Sequence, residues 1–179
     1  MNKLYYTWQD VERQTQEILR QIQSDGWRPD YVVGLTRGGL VPANLISQYL
    51  GCRMETLKVQ LRDGGDSESN LWMAEDAFGY DGATFDSDPT RSTRGKNILI
   101  VDDINDSGAT LNWIKQDWQS SCFPNEPRWH LVWGNNVRVA VLCDNESSKS
   151  ELNVSYSAVD LNKAEEDCWI VFPWEEWWK

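Results

Sequence analysis

The chain has 179 residues, a net charge of −11, and 40% apolar against 25% charged residues. That length fits one domain with a sizeable core. The acidic balance excludes a protein that lies along nucleic-acid backbones, which select basic faces, and no apolar run approaches the roughly 18 residues of a membrane span. The N-terminal MNKLYYTWQDVERQ lacks the apolar stretch of a secretion signal. A cytoplasmic protein with neither nucleic-acid nor membrane partners is therefore expected. A small phosphorylated ligand stays open, because backbone N–H groups and a bound cation hold phosphate without a basic surface.

Thr7 can cap a helix over residues 8–24, where Trp8, Val11, Thr15, Ile18, Leu19 and Ile22 recur at helical spacing before Asp25-Gly26. YVVGL (31–35) is a short β-rich run, and TRGG (36–39) follows it. LVPANLISQYLG (40–51) predicts a helix with Pro42 in its first turn and Gly51 as its stop. METLKVQL (54–61) alternates as a strand does. Residues 62–97 are rich in Gly, Asp, Ser and Thr around an aromatic island. They predict a long mobile loop with room for a short hairpin, either a lid or a solvated insertion.

NILIVDD (97–103) is the clearest strand, and ATLNWIKQDWQ (109–119) is the helix after it. Pro124 and Pro127 break the chain, VRVAVLCDN (137–145) is a further buried strand, and YSAVDL (156–161) another. DCWIVFPWEEWWK (167–179) is apolar and aromatic with a central Pro173. Strands alternate with helices, so residues 1–179 form one α/β domain, a central mostly parallel sheet flanked by helices. Cys52, Cys122, Cys143 and Cys168 make no Cys-x-x-Cys pair and His130 is the sole histidine, which predicts buried free thiols rather than a zinc site. Most of the eleven tryptophans should be packing residues, and any one could serve as a platform for a flat ligand.

The stretch ILIVDDINDSGAT (98–110) has two chemically opposite halves. Ligands of open parallel sheets bind beyond the carboxyl ends of strands, where Asp102 and Asp103 fall. Asp106, Ser107, Gly108, Ala109 and Thr110 form the turn into the next helix, whose free N–H groups and dipole favour an anion. The carboxylates can accept from sugar hydroxyls or hold a divalent cation such as Mg²⁺. A ribose 5-phosphate satisfies both halves. A purely structural strand end and helix cap would have no reason to bear the repulsion of two adjacent acids. In TRGG, glycines let N–H groups converge on an anion and Arg37 adds charge-assisted hydrogen bonds, although an ordinary strand-to-helix turn reads the same way.

ILIVDDINDSGAT resembles the phosphoribosyl-pyrophosphate motif of the type I phosphoribosyltransferases, with Ser107 where Thr is common and Ala109 where Gly or Lys is usual. VGLTRGGLVPANLISQYLG (33–51) is similar to the first loop and helix of the bacterial xanthine-guanine members, and DCWIVFPWE (167–175) resembles their purine-contacting segment. The resemblance implies the type I fold with a small hood over residues 160–179 and a flexible lid over 62–97. It implies transfer of a 5-phosphoribosyl group from phosphoribosyl pyrophosphate to a purine in salvage, with Mg²⁺ and as a homodimer or homotetramer.

By motif position, Asp102 and Asp103 would hold the ribose hydroxyls, and both would face the metal, Asp103 the more directly. Asp106, Ser107, Gly108, Ala109 and Thr110 would wrap the 5-phosphate, and Asp106 would exchange a proton with the base as catalytic residue. Thr36, Arg37, Gly38 and Gly39 would form the pyrophosphate loop, with a strained peptide at Thr36–Arg37. Trp169 would stack on the purine and Ile170 present backbone to its edge, while Arg62, Arg91, Arg94 and Lys96 are lid cations that could meet an anion. The lysine that usually follows the strand VRVAVL is replaced by Cys143-Asp144-Asn145. Asn145 can donate to an oxygen or accept from an amine, and Lys149 is the nearest lysine, so the base stays open among hypoxanthine, guanine, xanthine or another. The alternatives are a regulator that senses phosphoribosyl pyrophosphate or a nucleotide on the same fold, and a receiver-type phosphate domain. The acidic single-domain composition argues against the first, and Ser-Gly-Ala-Thr after Asp106 against the second.

Overall fold

The structure, a computed structural model, describes residues 1–62, 65–80 and 95–179. Its elements run β1 (Asn2–Tyr5), α1 (Trp8–Asp25), β2 (Tyr31–Thr36), α2 (Leu40–Leu50), β3 (Arg53–Lys58), α3 (Leu71–Phe78), β4 (Ile98–Asn105), α4 (Ala109–Ser121), a 3₁₀ helix (Pro127–Leu131), β5 (Val137–Asn145), β6 (Tyr156–Leu161) and β7 (Cys168–Val171). Five strands form one sheet in the order β3-β2-β4-β5-β6, and every pair in it is parallel. β1 and β7 form a separate two-stranded parallel ladder, the expected hood.

β4 lies at the centre because its apolar residues serve both faces. Ile98 and Ile100 enter a core with α3, α4 and the 3₁₀ helix, while Leu99 and Val101 enter another with α1, α2 and Phe172 of the hood. Side-chain alternation along a strand dictates this division. Burial on both faces explains why the sequence shows a continuous apolar run there. The tryptophans divide between packing and surface. Trp118 and Trp129 are fully buried and Trp133 stacks on Trp129, whereas Trp177 and Trp178 are exposed.

The loop expected over residues 62–97 needs correction. Residues 71–78 are helix α3, capped by the Asn70 side chain and closed by left-handed Gly79. Met73, Ala74, Ala77 and Phe78 are buried in the core, so this segment is part of the domain body. Two helical turns are too short for periodicity to announce them amid polar residues. Lys96 is likewise structural, paired with Asp76 across 3.2 Å. Residues 63–64 and 81–94, and with them Arg91 and Arg94, lie outside the described residues. β1 also went unread: all four of its side chains are exposed, so no alternation marks it. Among the described residues no helix is long and apolar enough to cross a membrane.

α2 begins hard against the sheet. Gly39 is buried, and a Cβ there would collide with the Val101 carbonyl oxygen and with the Leu35 backbone. Gly39→Ala is expected to lower unfolding free energy by about 2–4 kcal/mol, because backbone atoms rather than a mobile side chain must give way. Urea unfolding would check this, and a loss below roughly 0.5 kcal/mol would show that the close approach is dispensable.

Candidate active site

The site is built at the carboxyl edge of the two central strands. β2 and β4 pair with Gly34 beside Val101, so the chain leaving β2 passes over the acids that follow Val101. A Cβ on Gly38 would overlap the Asp103 carboxylate, which brings the TRGG loop and the acid pair into direct contact. The peptide between Thr36 and Arg37 is cis, at the position expected to be unusual. The Arg37 side chain is exposed at the mouth of this loop.

Among the described residues two of the four α-helices lack side-chain caps, and they are the two that start at this edge. α1 has a full capping box from Thr7 and Asp10, and α3 is capped by Asn70. α2 and α4 begin instead at Gly39 and Gly108, with no side-chain cap at either. An uncapped first turn concentrates the positive end of the helix dipole at α4 with N–H groups to spare, whereas at α2 the Gly39 and Leu40 N–H groups already donate to the Leu35 and Arg37 carbonyl oxygens and Pro42 has none, so there the dipole and the preceding loop are what remain for an anion. Gly108 is required here. Its φ is +86°, and a Cβ would strike the backbone of Ser150. Ser107 and Ala109 are exposed beside it, and the Ser107 hydroxyl makes only a 3.3 Å contact with the Ala109 N–H. Ser107, Gly108, Ala109 and Thr110 could thus hold one anion and Thr36, Arg37, Gly38 and Gly39 a second, on either side of the acids.

Asp102 and Asp103 each accept one backbone N–H, from Asp103 at 2.9 Å and Ile104 at 2.8 Å respectively. Among the described residues no cationic side chain pairs with either. Burial pushes the Asp103 carboxyl up to about 6, and burial followed by repulsion from Asp103 pushes Asp102 well above the ordinary range. Two desolvated carboxylates without a counter-charge fit a hard divalent cation, which prefers such oxygen ligands. Among the described residues no group of three or more acids, cysteines and histidine is placed to hold a metal, so a cation at this pair would have to share its coordination with ligand oxygens. All four cysteines are free, and the buried Cys143 thiol is pushed up to about 12 by desolvation, which suits a packing residue rather than a nucleophile.

On the hood side, Trp169 is half-buried on β7, and the guanidinium of Arg62 stands 5.9 Å from its ring centre. The Ile170 side chain is buried, and its backbone pairs with Leu4 of β1. Among the described residues β7 is paired on that edge only, so alternate backbone groups face away from β1. Asn145 is not turned toward a ligand. It is buried, its Oδ1 accepts from the Ser147 N–H, the Ser147 hydroxyl and the Lys163 N–H, and its Nδ2 donates to the Asp106 carbonyl at 2.9 Å. The base contact expected of Asn145 is therefore corrected to a bracing role, since both its amide oxygen and its amide nitrogen bond to the protein and the residue is buried. Lys149 is exposed, and its own backbone N–H bonds to the Ser107 carbonyl. Besides Arg62, a second cation reaches this site: Lys163, whose Nζ lies 3.0 Å from the Asp106 carboxylate and 5.9 Å from the Trp169 ring centre. Nothing in the local sequence marks Lys163, which follows β6 and stands 18 residues beyond Asn145.

A parallel sheet flanked by helices, with two small-residue loops on either side of a pair of acids, is an arrangement that could hold a sugar bearing phosphate groups at both ends. The family model for the phosphoribosyl transferase domain matches residues 1–179, and the chain belongs to that family. It is 24% identical over 177 residues to the xanthine-guanine phosphoribosyltransferase of Roseobacter denitrificans, spanning 96% of this chain and 84% of that one. It is 27% identical over 177 residues to the enzyme of the same name from Cereibacter sphaeroides, spanning 96% and 86%. The purine phosphoribosyltransferase from Pyrococcus horikoshii shares the fold at a TM-score of 0.64 and 23% identity, over 98% of this chain and 96% of that one.

Because the fold raises the affinity of the Asp103 carboxyl for its proton, Asp103 stabilises the ligand-free protein most at low pH and loses that contribution as pH rises from about 4 to about 6. Asp103→Asn should therefore stabilise the ligand-free protein by about 1–2 kcal/mol at pH 7.5, with the gain vanishing toward pH 4. Thermal unfolding in chelator across this range would check it. A gain independent of pH would remove the buried charge as its cause.

Proposed function

We propose that the protein transfers the 5-phosphoribosyl group of phosphoribosyl pyrophosphate to a purine of the hypoxanthine, guanine or xanthine class, releasing pyrophosphate, in purine salvage. The observation that carries this is the pair of uncapped helix N-termini flanking the buried acids. One sugar must present an anion to each and hydroxyls to the middle. Family membership supports the sugar donor, and the names of the two xanthine-guanine relatives support the base class.

In this reading Ser107, Gly108, Ala109 and Thr110 hold the 5-phosphate, and Thr36, Arg37, Gly38 and Gly39 hold the pyrophosphate. Asp102 and Asp103 accept from the ribose hydroxyls and would hold Mg²⁺, which when bound neutralises charge on the departing pyrophosphate. The bond from the anomeric carbon to pyrophosphate breaks as a bond to a base nitrogen forms, through a transition state with positive charge on the sugar. The nearby carboxylates stabilise that charge. The base gives up its N–H proton, and in this reading Asp106 takes it. Trp169 provides the stacking face, and the unpaired edge of β7 at Ile170 meets the polar rim of the base. A cytoplasmic homodimer or homotetramer belongs to the same reading, and sedimentation would test the assembly.

Labelled phosphoribosyl pyrophosphate with Mg²⁺ and a panel of free bases should yield nucleotide with a 6-oxopurine, and chelation should abolish it. Binding of the donor with no nucleotide from any base would make the protein a sensor instead. Asp106→Asn should lower kcat about 10²–10⁴-fold while donor affinity stays within about threefold. Unchanged kcat would remove Asp106 from its role. Trp169→Ala should raise KM for the base roughly tenfold with little change for the donor. The reverse pattern would place the base elsewhere.

A further inference from the structure

The lysine that pairs with Asp106 has capacity to spare. Lys163 is well buried, its side chain only 15% exposed, in a chain of net charge −11. An ammonium carries three donors, and among the described residues Asp106 is the only acceptor at its Nζ. Its Nζ stands 5.9 Å from the centre of the Trp169 ring. Burying a lysine costs energy unless its donors are used, so a half-used ammonium beside a flat aromatic platform points to an acceptor brought by a ligand.

The sheet register explains how Lys163 arrives there. Asn105 lies beside Asp144 and Asp144 beside Asp160, so β4, β5 and β6 finish level with one another. Asp106 and Lys163 follow the outer two of these strands, about 10 Å apart at the usual strand spacing. A lysine arm can span that gap only if the end of β5 is kept clear. Asn145 clears it by folding back on the protein, and its Oδ1 also fixes the Lys163 backbone N–H at 3.0 Å. Asn162 secures the same turn, its side chain accepting from the Ala164 N–H and its carbonyl from the N–H groups of Glu165 and Glu166. Acidic Glu165, Glu166 and Asp167 are exposed, while Lys163 is drawn inward.

We infer that Lys163 reads the carbonyl oxygen on the rim of the base, and that it does so while still bound to Asp106. It is a specificity-determining residue delivered from the β6 end rather than the β5 end. This rests on the transferase reading above and on Trp169 as the base platform. An oxopurine presents an acceptor to the ammonium. A 6-aminopurine presents N–H donors there and leaves the ammonium unpaired, so the same contact selects against it. Bridging also keeps the Asp106 carboxylate turned toward the base whose proton it takes.

The test compares wild type with Lys163→Met and Lys163→Arg in steady-state assays against hypoxanthine, guanine, xanthine and adenine. Thermal stabilisation by phosphoribosyl pyrophosphate reports an intact fold, and Lys163→Gln supplies the same comparison should Lys163→Met not fold. Losing a charged hydrogen bond should raise KM for the preferred oxopurine about tenfold or more, with KM for the donor within about twofold. Discrimination against adenine should fall about tenfold, and Lys163→Arg should recover part of the loss. A fall in kcat alone, equal for every base, would mean that Lys163 acts only through Asp106 and would overturn the inference. So would unchanged kinetics, or KM values that rise equally for base and donor. If wild type converts no purine at all, the transferase reading fails and takes this inference with it. Active wild type with an indifferent Lys163 sinks the inference alone.

Discussion

The parallel pairing of β2 with β4 is the constraint on which the site depends. Parallel neighbours point their carboxyl ends the same way, so the helices that follow them start side by side. α2 and α4 both begin at glycine without a side-chain cap, and the acids that end β4 lie between them. Had either helix carried the capping box found on α1, its first N–H groups would be satisfied internally and an anion would gain little there. At α4 that ordinary stabilising contact is left out, whereas at α2 the Gly39 and Leu40 N–H groups are taken by the Leu35 and Arg37 carbonyl oxygens.

Asp102 and Asp103 follow the same logic with the opposite sign. Each is anchored by one backbone N–H and left without a cationic partner among the described residues. Their burial favours the protonated acids, so the ligand-free fold carries repulsion that hydroxyls and a cation would relieve. Two compact cores on either side of β4 supply the stability against which this local cost is tolerated.

The hood contributes the third part. β7 stands beside β1 with one edge unpaired, and Trp169 lies on it within reach of cations from two separate loops. Arg62 comes from the segment after β3 and Lys163 from the turn after β6. The base end of the cleft is thus assembled from parts far apart in the chain, whereas each phosphate cradle is one continuous turn. The two strand-end turns are each set by one contiguous stretch, whereas the surroundings of Trp169 depend on two separate loops.

Local order is what the sequence alone could determine. The apolar run of β4, the helix after it and the small residues between them are contiguous, so ILIVDDINDSGAT displays its strand, its acids and its anion turn in one line. TRGG before α2 is legible for the same reason, as is the parallel sheet, whose strands and helices alternate along the chain. Helix α3 and strand β1 were not legible: the first is two turns long, and the second exposes every side chain, so neither carries a periodic signal. Asn145 occupied the right place for a base contact, but only the fold shows its amide consumed by Ser147, Lys163 and Asp106. Lys163 has no motif around it. Its position was decided by the register of three strands and the reach of a side chain across one of them, and pairings between distant segments of the chain are set by tertiary packing rather than by any local pattern.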